Sequence, residues 1–497
     1  MRLQRLGILL GLVATVTGGC ARTVDKTYPG PQVAPASRRA LSPDTARLRE
    51  VLHRLDETKA VVSARVIELP GGRELYADNC DSAVIPASNL KLSVSAAVLD
   101  RFGPEHGLMT YLAIDGDDLW LIGTGDPATG DPKIAEKHGE KPTTMLDRWA
   151  EALRGRGVRG IKGNLYYDDH AFDDVRVHPT WSRSFLTDWY AAPVAGLNFN
   201  DNCIDVTVRP GGEGKPAAFE VVPPTEGVEI VNRTVTGGRG SPRISREATA
   251  NVFTLSGGVA KETKLESKPV TDPGAFFADA LRTNLKSHGI VVRGEIRRAE
   301  RPLGDRGNVI ASHATVLSDV LWRIDKNSQN LFAEAMAKYL GRAYQVEHGE
   351  RDARGSWESG ARAIREFLRR QGVDDSKFVF VDGSGLARGN RVTTRGQTQL
   401  LLAMSGHRYA DVFRESLGVS GVDGTIGKRM TDIAGRVHAK TGSIRGVRSL
   451  SGYLQTRGGR WLAFSIIYND IPDEEGDTGP KAFEKLADEA CREMAGW

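Results

Sequence analysis

Pro86-Ala87-Ser88-Asn89-Leu90-Lys91-Leu92 opens a run that reads as a helix from about Ser88 to Phe102, and its polar positions decide how the rest of the chain is read. At 100° per residue, Leu90, Val94 and Ala97 fall on one side, with Ser88, Lys91 and Ser95 on roughly the opposite side. Ser88 and Lys91 are three apart, so the amine can approach the hydroxyl across one turn. A serine is a poor nucleophile at neutral pH unless a neighbouring base takes its proton, and a neutral lysine amine can be that base. Alone, an S-x-x-K is weak, because a chain of this composition would show one by chance. Two further motifs follow it, Ser328-Gln329-Asn330 and Lys440-Thr441-Gly442. The ordered series S-x-x-K, S-x-N, K-T-G is specific where each member is not.

Each spacing has a chemical reason. A free lysine is protonated and cannot act as a base. If Lys440 lies a few ångström from Lys91, its positive charge together with burial disfavours a second ammonium, and the Lys91 pKa falls. Ser328 and Asn330, two apart and ahead of a helix, can present both side chains to one side. Ser328 is expected to relay a proton to a leaving amine, and Asn330 to hydrogen-bond a substrate amide. Lys440 and Thr441 are expected on an edge strand that offers its backbone to an extended peptide, where a cation and a hydroxyl suit a terminal carboxylate. Gly442 removes a side chain where substrate must approach the backbone. The N–H groups of Ser88 and Ser443 are the candidate oxyanion hole.

Outward from Ser88, a helix beginning at Ser42-Pro43-Asp44 places Leu48, Val51, Leu52 and Leu55 on one face. Val62–Leu69 and Arg73–Ala77, separated by Pro70-Gly71-Gly72, read as an antiparallel hairpin. From about 106 to 300 short β-like runs broken by turns, such as Leu119–Ile122, Gly163–Tyr167, Cys203–Val208 and Val252–Leu255, predict one or two all-β inserted units. Helical periodicity returns around Leu317–Ile324 and after Ser328. The chain closes with three β runs, Arg436–Thr441, Leu450–Thr456 and Arg460–Tyr468, and a helix over Pro480–Met494. The fold class is therefore α+β, with the two end segments sharing an antiparallel sheet flanked by helices. The middle is a large, mostly β excursion. The corresponding parts are 1–20, 21–44, 45–105, 106–300 and 301–497.

With 497 residues, the chain suggests about three folding units at roughly 150 residues each. A net charge of only +4 and no basic tract make nucleic acid a poor partner, and 40% hydrophobic residues suffice for real cores. Cys20, Cys80, Cys203 and Cys491 form no CxxC or Cys/His ligand spacing, so zinc-ribbon and thioredoxin readings lose their usual support. Asp168, Asp169 and His170 read as a surface turn. Arg2 and Arg5 precede the apolar run Leu6–Val16, too short to span a membrane and suited to a secretory signal. Thr17-Gly18-Gly19-Cys20 resembles the lipobox of bacterial lipoproteins, although Thr stands where an aliphatic residue is usual. Lipidation of Cys20 is the expectation, with plain signal cleavage as the alternative. Tyr28–Pro43, with Pro29, Pro31, Pro35 and Pro43, reads as an extended tether. The expected location is the bacterial cell envelope, periplasmic or extracytoplasmic.

Taken together, these residues resemble the class C low-molecular-mass penicillin-binding proteins, the D-alanyl-D-alanine carboxypeptidase/endopeptidase family of serine peptidases. Beyond the three motifs, Asp382-Gly383-Ser384-Gly385-Leu386 with Asn390 and Val392-Thr393, Gly421–Thr425, His438–Gly442 and Leu450-Ser451-Gly452-Tyr453 match the family's pattern. The long gap from Ser88 to Ser328 also matches, since this family is known for a large insertion there. The resemblance implies a penicillin-recognising, transpeptidase/β-lactamase-like domain carrying mostly β accessory domains. It implies attack by Ser88 on the D-Ala-D-Ala bond of peptidoglycan stem peptides or cross-links, an acyl-enzyme, and β-lactam antibiotics as covalent inhibitors. It also implies that no metal and no organic cofactor is required. The family's catalytic and binding residues fall on Ser88, Lys91, Ser328, Asn330, Lys440 and Thr441. Gln329 is a departure, in the variable place of the second motif. Two rival readings remain at this point: a β-lactamase-type hydrolase using the same Ser88 and Lys91, and a non-catalytic envelope protein that binds peptidoglycan.

Overall fold

The strand Trp461–Asn469 shows how the sequence builds the central layer. Leu462, Phe464, Ile466 and Tyr468 pack with Leu48, Val51 and Leu52 of the first helix and Phe483, Leu486 and Met494 of the last; Ala463 and Ile467 join the core on the other face. Alternation of side chains across a strand thus buries both faces, and the strand reads as a nearly continuous apolar run. The computed structural model describes residues 43–304, 307–473, 476 and 478–497. The signal-like run, Cys20 and the proline-rich tether lie outside the described residues.

Six strands form the central sheet in the order Gly418–Val419, Val437–Ile444, Val447–Gln455, Trp461–Asn469, Val61–Leu69, Arg73–Asp78, every neighbouring pair antiparallel. The expected hairpin and the three C-terminal strands meet here, so the two ends of the chain share one sheet. The helices Pro43–Leu52 and Pro480–Ala495 cover one face. The helices Lys91–Phe102, Leu317–Asp325, Asn330–Glu347, Trp357–Arg370 and Thr394–Ser405 build the layer on the other.

The insert is mostly β but not all β. Its main sheet runs Ile296–Arg298, Leu165–Asp168, Asp118–Gly123, Gly107–Asp115, Asn308–Val316. It carries two amphipathic helices, Thr144–Gly155 and Pro273–Ser287, whose Leu146, Trp149, Phe276, Phe277 and Leu281 fill a second core. A further group of strands includes Cys203–Arg209 and the sheet Arg243–Arg246, Val252–Val259, Glu229–Thr236. Because Asn308–Val316 pairs with Gly107–Asp115 along its length, the inserted sheet reaches past residue 300, where the change in turn pattern placed its end. Nor is the insert a mere excursion. The stretch 173–201 returns to the helical layer: Asp173 Oδ1 and the Val175 carbonyl accept from Lys338 Nζ, and Trp181 Nε1 donates to Asp382 Oδ2 at 2.9 Å.

Asp168, Asp169 and His170 are no surface turn. All three are buried; Asp168 accepts from His170 Nδ1 at 2.8 Å, and Asp169 is paired with Arg176 and Arg298, so the cluster is charge-compensated structure of the insert. Cys80, Cys203 and Cys491 are free, buried thiols.

Candidate active site

Ser88 does not sit inside the α-helix. Ala87–Leu90 forms one 3-10 turn and the α-helix begins at Lys91. In a 3-10 turn, residues i and i+3 eclipse one another, which aligns Ser88 with Lys91 more closely than α geometry would. The turn is entered through Ala87 at φ 48°, a left-handed conformation that costs a non-glycine residue of order 1–3 kcal/mol and marks functional sites. Asn89 Nδ2 ties the turn to the sheet through Ser451 Oγ at 2.8 Å. The polar stripe faces neither solvent nor the sheet: Lys91 and Ser95 are fully buried against the helical layer.

Lys91 Nζ has three oxygens around it: Ser88 Oγ at 2.8 Å, Asn330 Oδ1 at 2.7 Å and the Ser384 carbonyl at 2.8 Å. Two of these are obligatory acceptors and only the hydroxyl carries a proton. As an ammonium, Lys91 donates to all three; a neutral amine, with two N–H donors and one lone pair, would satisfy both carbonyl-type oxygens and turn its lone pair to the Ser88 O–H. Burial holds the Lys91 pKa well below the usual lysine value, the Lys440 charge lowers it further, and the carboxylates of Glu334, Asp382 and Asp325 oppose both. The predicted electrostatic role of Lys440 is present, second in size to desolvation.

Ser328 and Lys440 form the opposite wall. Lys440 Nζ donates to Ser328 Oγ at 2.8 Å and to the Thr441 carbonyl at 3.0 Å. Ser328 is held at φ 57°, just ahead of the helix Asn330–Glu347. Burial brings Lys440 down to about 8, with Asp325 holding it up, so it keeps its charge at neutral pH. Asp325, which accepts from Ser95 Oγ and Ser416 Oγ, is raised to about 6 by its own burial. The side chain of Asn330 differs from expectation. Its Oδ1 takes Lys91 and its Nδ2 donates to the Tyr190 carbonyl of the insert at 2.8 Å, so its carboxamide holds the Lys91 amine in place.

Lys440 lies on a strand that is only partly an edge. Gly418 and Val419 pair with Ala439 and His438, and no strand among those described covers Lys440 to Ile444 on that side. Val437 exchanges hydrogen bonds with Ser420 through both its carbonyl (2.9 Å) and its N–H (3.2 Å), and the register to Val447–Gln455 has no bulge. By the two-residue period, Thr441 and Ser443 therefore turn their backbone groups to the open side. The Thr441 hydroxyl donates to Thr425 Oγ1 at 2.8 Å, and Ser443 is exposed. His438 packs its ring beside Trp461.

Gly442 makes room for the turn that carries Ser88 as well as for the strand's approach. A Cβ there would lie 2.2 Å from Ser449 Oγ, 2.8 Å from the Pro86 carbonyl and 3.0 Å from the Ser88 nitrogen. Gly442→Ala is expected to lower the thermal midpoint by overpacking worth about 1–3 kcal/mol. It should also cut kcat/KM at least tenfold by pushing Ser88 off the strand; steady-state kinetics alongside a melting curve check both.

Four residues of this site had no role assigned to them from the sequence. Ser384, known there only as part of a stretch matching the family's pattern, gives its carbonyl to Lys91. Asp382 fixes that loop by accepting from the N–H groups of Gly385 and Ala387 and from Asn390 Nδ2. Asp325 stands with the two lysines electrostatically, and Glu334 lies fully buried beneath the loop. Glu334 had a signal: it is four residues beyond Asn330 on the same helix and so shares its face.

Known proteins share the sequence pattern and the fold of this chain. The model of a family described as D-Ala-D-Ala carboxypeptidase 3 (S13) matches residues 45–490. A D-alanyl-D-alanine carboxypeptidase of Actinomadura sp. (strain R39) is 32% identical over 449 residues, 85% of this chain and 79% of that protein. The D-alanyl-D-alanine carboxypeptidase DacB of Haemophilus influenzae is 26% identical over 359 residues, 69% of this chain and 70% of the relative. In structure, penicillin binding protein 4 of Haemophilus influenzae shares the fold, with a TM-score of 0.73 and 23% identity, over 90% of this chain and 99% of that one.

Proposed function

This chain belongs to the D-Ala-D-Ala carboxypeptidase 3 (S13) family and is a serine D-alanyl-D-alanine carboxypeptidase, and we propose that Ser88 is its nucleophile and Lys91 its general base. In the proposed cycle the peptide lies along the open edge of Val437–Ile444, its terminal carboxylate against Lys440 and Thr441. Lys91 takes the Ser88 proton as Oγ attacks the carbonyl of the penultimate D-alanine. The oxyanion is met by the N–H groups of Ser88 and Ser443. Collapse of the tetrahedral intermediate breaks the peptide bond. The proton held by Lys91 passes through Ser328 to the departing nitrogen of D-alanine. Water, deprotonated by the regenerated Lys91 amine, then cleaves the ester and restores the Ser88 hydroxyl.

The observation that carries this reading is the set of three oxygens around Lys91 Nζ, which suits an unprotonated amine facing a hydroxyl. Peptidoglycan stem peptides are the substrate class. A related fold of Haemophilus influenzae is known in complex with a β-lactam, and we extend covalent β-lactam binding to Ser88 of this chain. Action at the cell envelope follows from that substrate, with export and a lipid anchor on Cys20 as the proposed means of reaching it. No helix among the described residues is long and apolar enough to cross a membrane.

The test is to incubate the protein with a fluorescent penicillin, digest it, and sequence the labelled peptide, while assaying D-alanine release from a D-Ala-D-Ala peptide. The reading predicts label on the peptide carrying Ser88 and release of free D-alanine. Label on another serine contradicts it.

A further inference from the structure

The proposed cycle leaves one buried ionisable group beside the base unused. Glu334 is 0% exposed, one turn beyond Asn330 on the helix Asn330–Glu347. Its carboxylate receives three N–H donors: Gly383 N at 2.7 Å and Trp357 Nε1 at 2.6 Å on Oε2, and Ser384 N at 2.8 Å on Oε1. The residue whose N–H it holds, Ser384, is the one whose carbonyl lies 2.8 Å from Lys91 Nζ. Gly383 has no room for a side chain, since a Cβ there would be 2.6 Å from the Ala333 carbonyl on the same helix. The loop is therefore pressed onto the helix that carries both Asn330 and Glu334, and two of the three oxygens around Lys91 are set from one element.

We propose, on the reading that Lys91 is the base, that Glu334 is a positioning residue for the reaction: its carboxylate fixes the Gly383–Ser384 backbone, and through the Ser384 carbonyl it holds the Lys91 amine in line with Ser88. Three N–H donors and a hydrogen bond from the Ser384 side chain favour the carboxylate form of Glu334, and each opposes its protonation. Burial and the neighbouring Asp382 carboxylate push its pKa up to about 7, so the fitted form is the one lost on mild acidification. The charged groups facing the pair are Asp382, Asp325 and Lys440 around Lys91, and Asp382 and Lys338 around Glu334. Lys338 is itself paired with Asp173 of the insert at 2.6 Å.

Glu334→Gln and Glu334→Asp separate positioning from bulk structure. In Glu334→Gln the amide presents N–H against N–H, so the Ser384 carbonyl should retreat from Lys91. For D-alanine release, kcat is expected to fall about a hundredfold, the scale of an ångström of misplacement, with KM within about twofold because Lys440 and Thr441 are untouched. The acidic limb of the kcat profile should also move to lower pH, since one of the carboxylates that raise the Lys91 pKa is gone. Glu334→Asp keeps the charge and shortens the reach; kcat should fall with KM and the limb unchanged. The wild-type protein is assayed first: if it neither releases D-alanine nor acylates Ser88, the functional reading fails and this inference with it. If the wild type is active and a folded Glu334→Gln retains wild-type kcat, or loses kcat and KM together with its limb unmoved, the positioning role is overturned. Should Glu334→Gln not fold, wild-type kcat in Glu334→Asp overturns it equally.

Discussion

Replacing Ser88 with alanine is expected to end both D-alanine release and covalent labelling by a penicillin, a loss of roughly four to six orders of magnitude in kcat. The scale follows from covalent catalysis: without Oγ no acyl-enzyme forms, and the proposed oxyanion donors and carboxylate clamp would only bind. The fold should survive. Ser88 is partly exposed, and among the described residues its hydroxyl is bonded to Lys91, which keeps Asn330 Oδ1 and the Ser384 carbonyl. Intact-protein mass spectrometry after incubation with penicillin gives the result directly: a mass increment of one inhibitor for the wild type and none for Ser88→Ala. An increment on the variant would move the nucleophile to another serine.

Lys91→Arg carries the second large effect, and it distinguishes a base from a mere positive charge. Guanidinium does not lose its proton near neutrality, so the substitution preserves charge while removing proton acceptance. A loss of about a thousandfold in the acylation rate is expected, within the usual range for a removed general base. Lys91→Met, which keeps a long side chain without the amine, should be impaired to a similar extent, whereas substrate affinity measured on a Ser88→Ala background should change little. An arginine variant that keeps a substantial fraction of the activity would show that a cation at this position suffices.

How much of this was legible beforehand follows from the range of the interactions. Ser88 and Lys91 are close in sequence, and local backbone geometry brings them together; Ser328 and Asn330 are also found by spacing, although the side chain of one meets Lys440 and that of the other Lys91. The terminal sheet was legible for the same kind of reason, because the β-rich, largely continuous buried runs of Val61–Leu69 and Trp461–Asn469 are a local signal. The helix Pro273–Ser287 also carries local marks, an Asp272 cap bonded to the Ala275 N–H and Pro273 in the first turn, and it was hidden only by the β-rich texture on both sides. Ser384 and Asp325 are another matter. Their value to the site lies in a backbone carbonyl and in a charge at a distance, neither of which a residue type announces. The wrong reading of Asp168, Asp169 and His170 has the same root, since Arg298, which neutralises Asp169, comes from a strand far along the chain.

The pairing of the two lysines is the claim on which the chemistry stands: burial and the Lys440 charge together free the Lys91 amine of its proton. The most direct test is the pH dependence of the acylation rate in the wild type and in Lys440→Ala. Removing the ammonium takes away one of the two influences that lower the Lys91 pKa, so Lys91 should protonate sooner as pH falls and the acidic limb should move to higher pH. The remaining depression, from burial, should keep the limb well below the ordinary lysine range. An acidic limb at the same pH in both proteins would contradict the account.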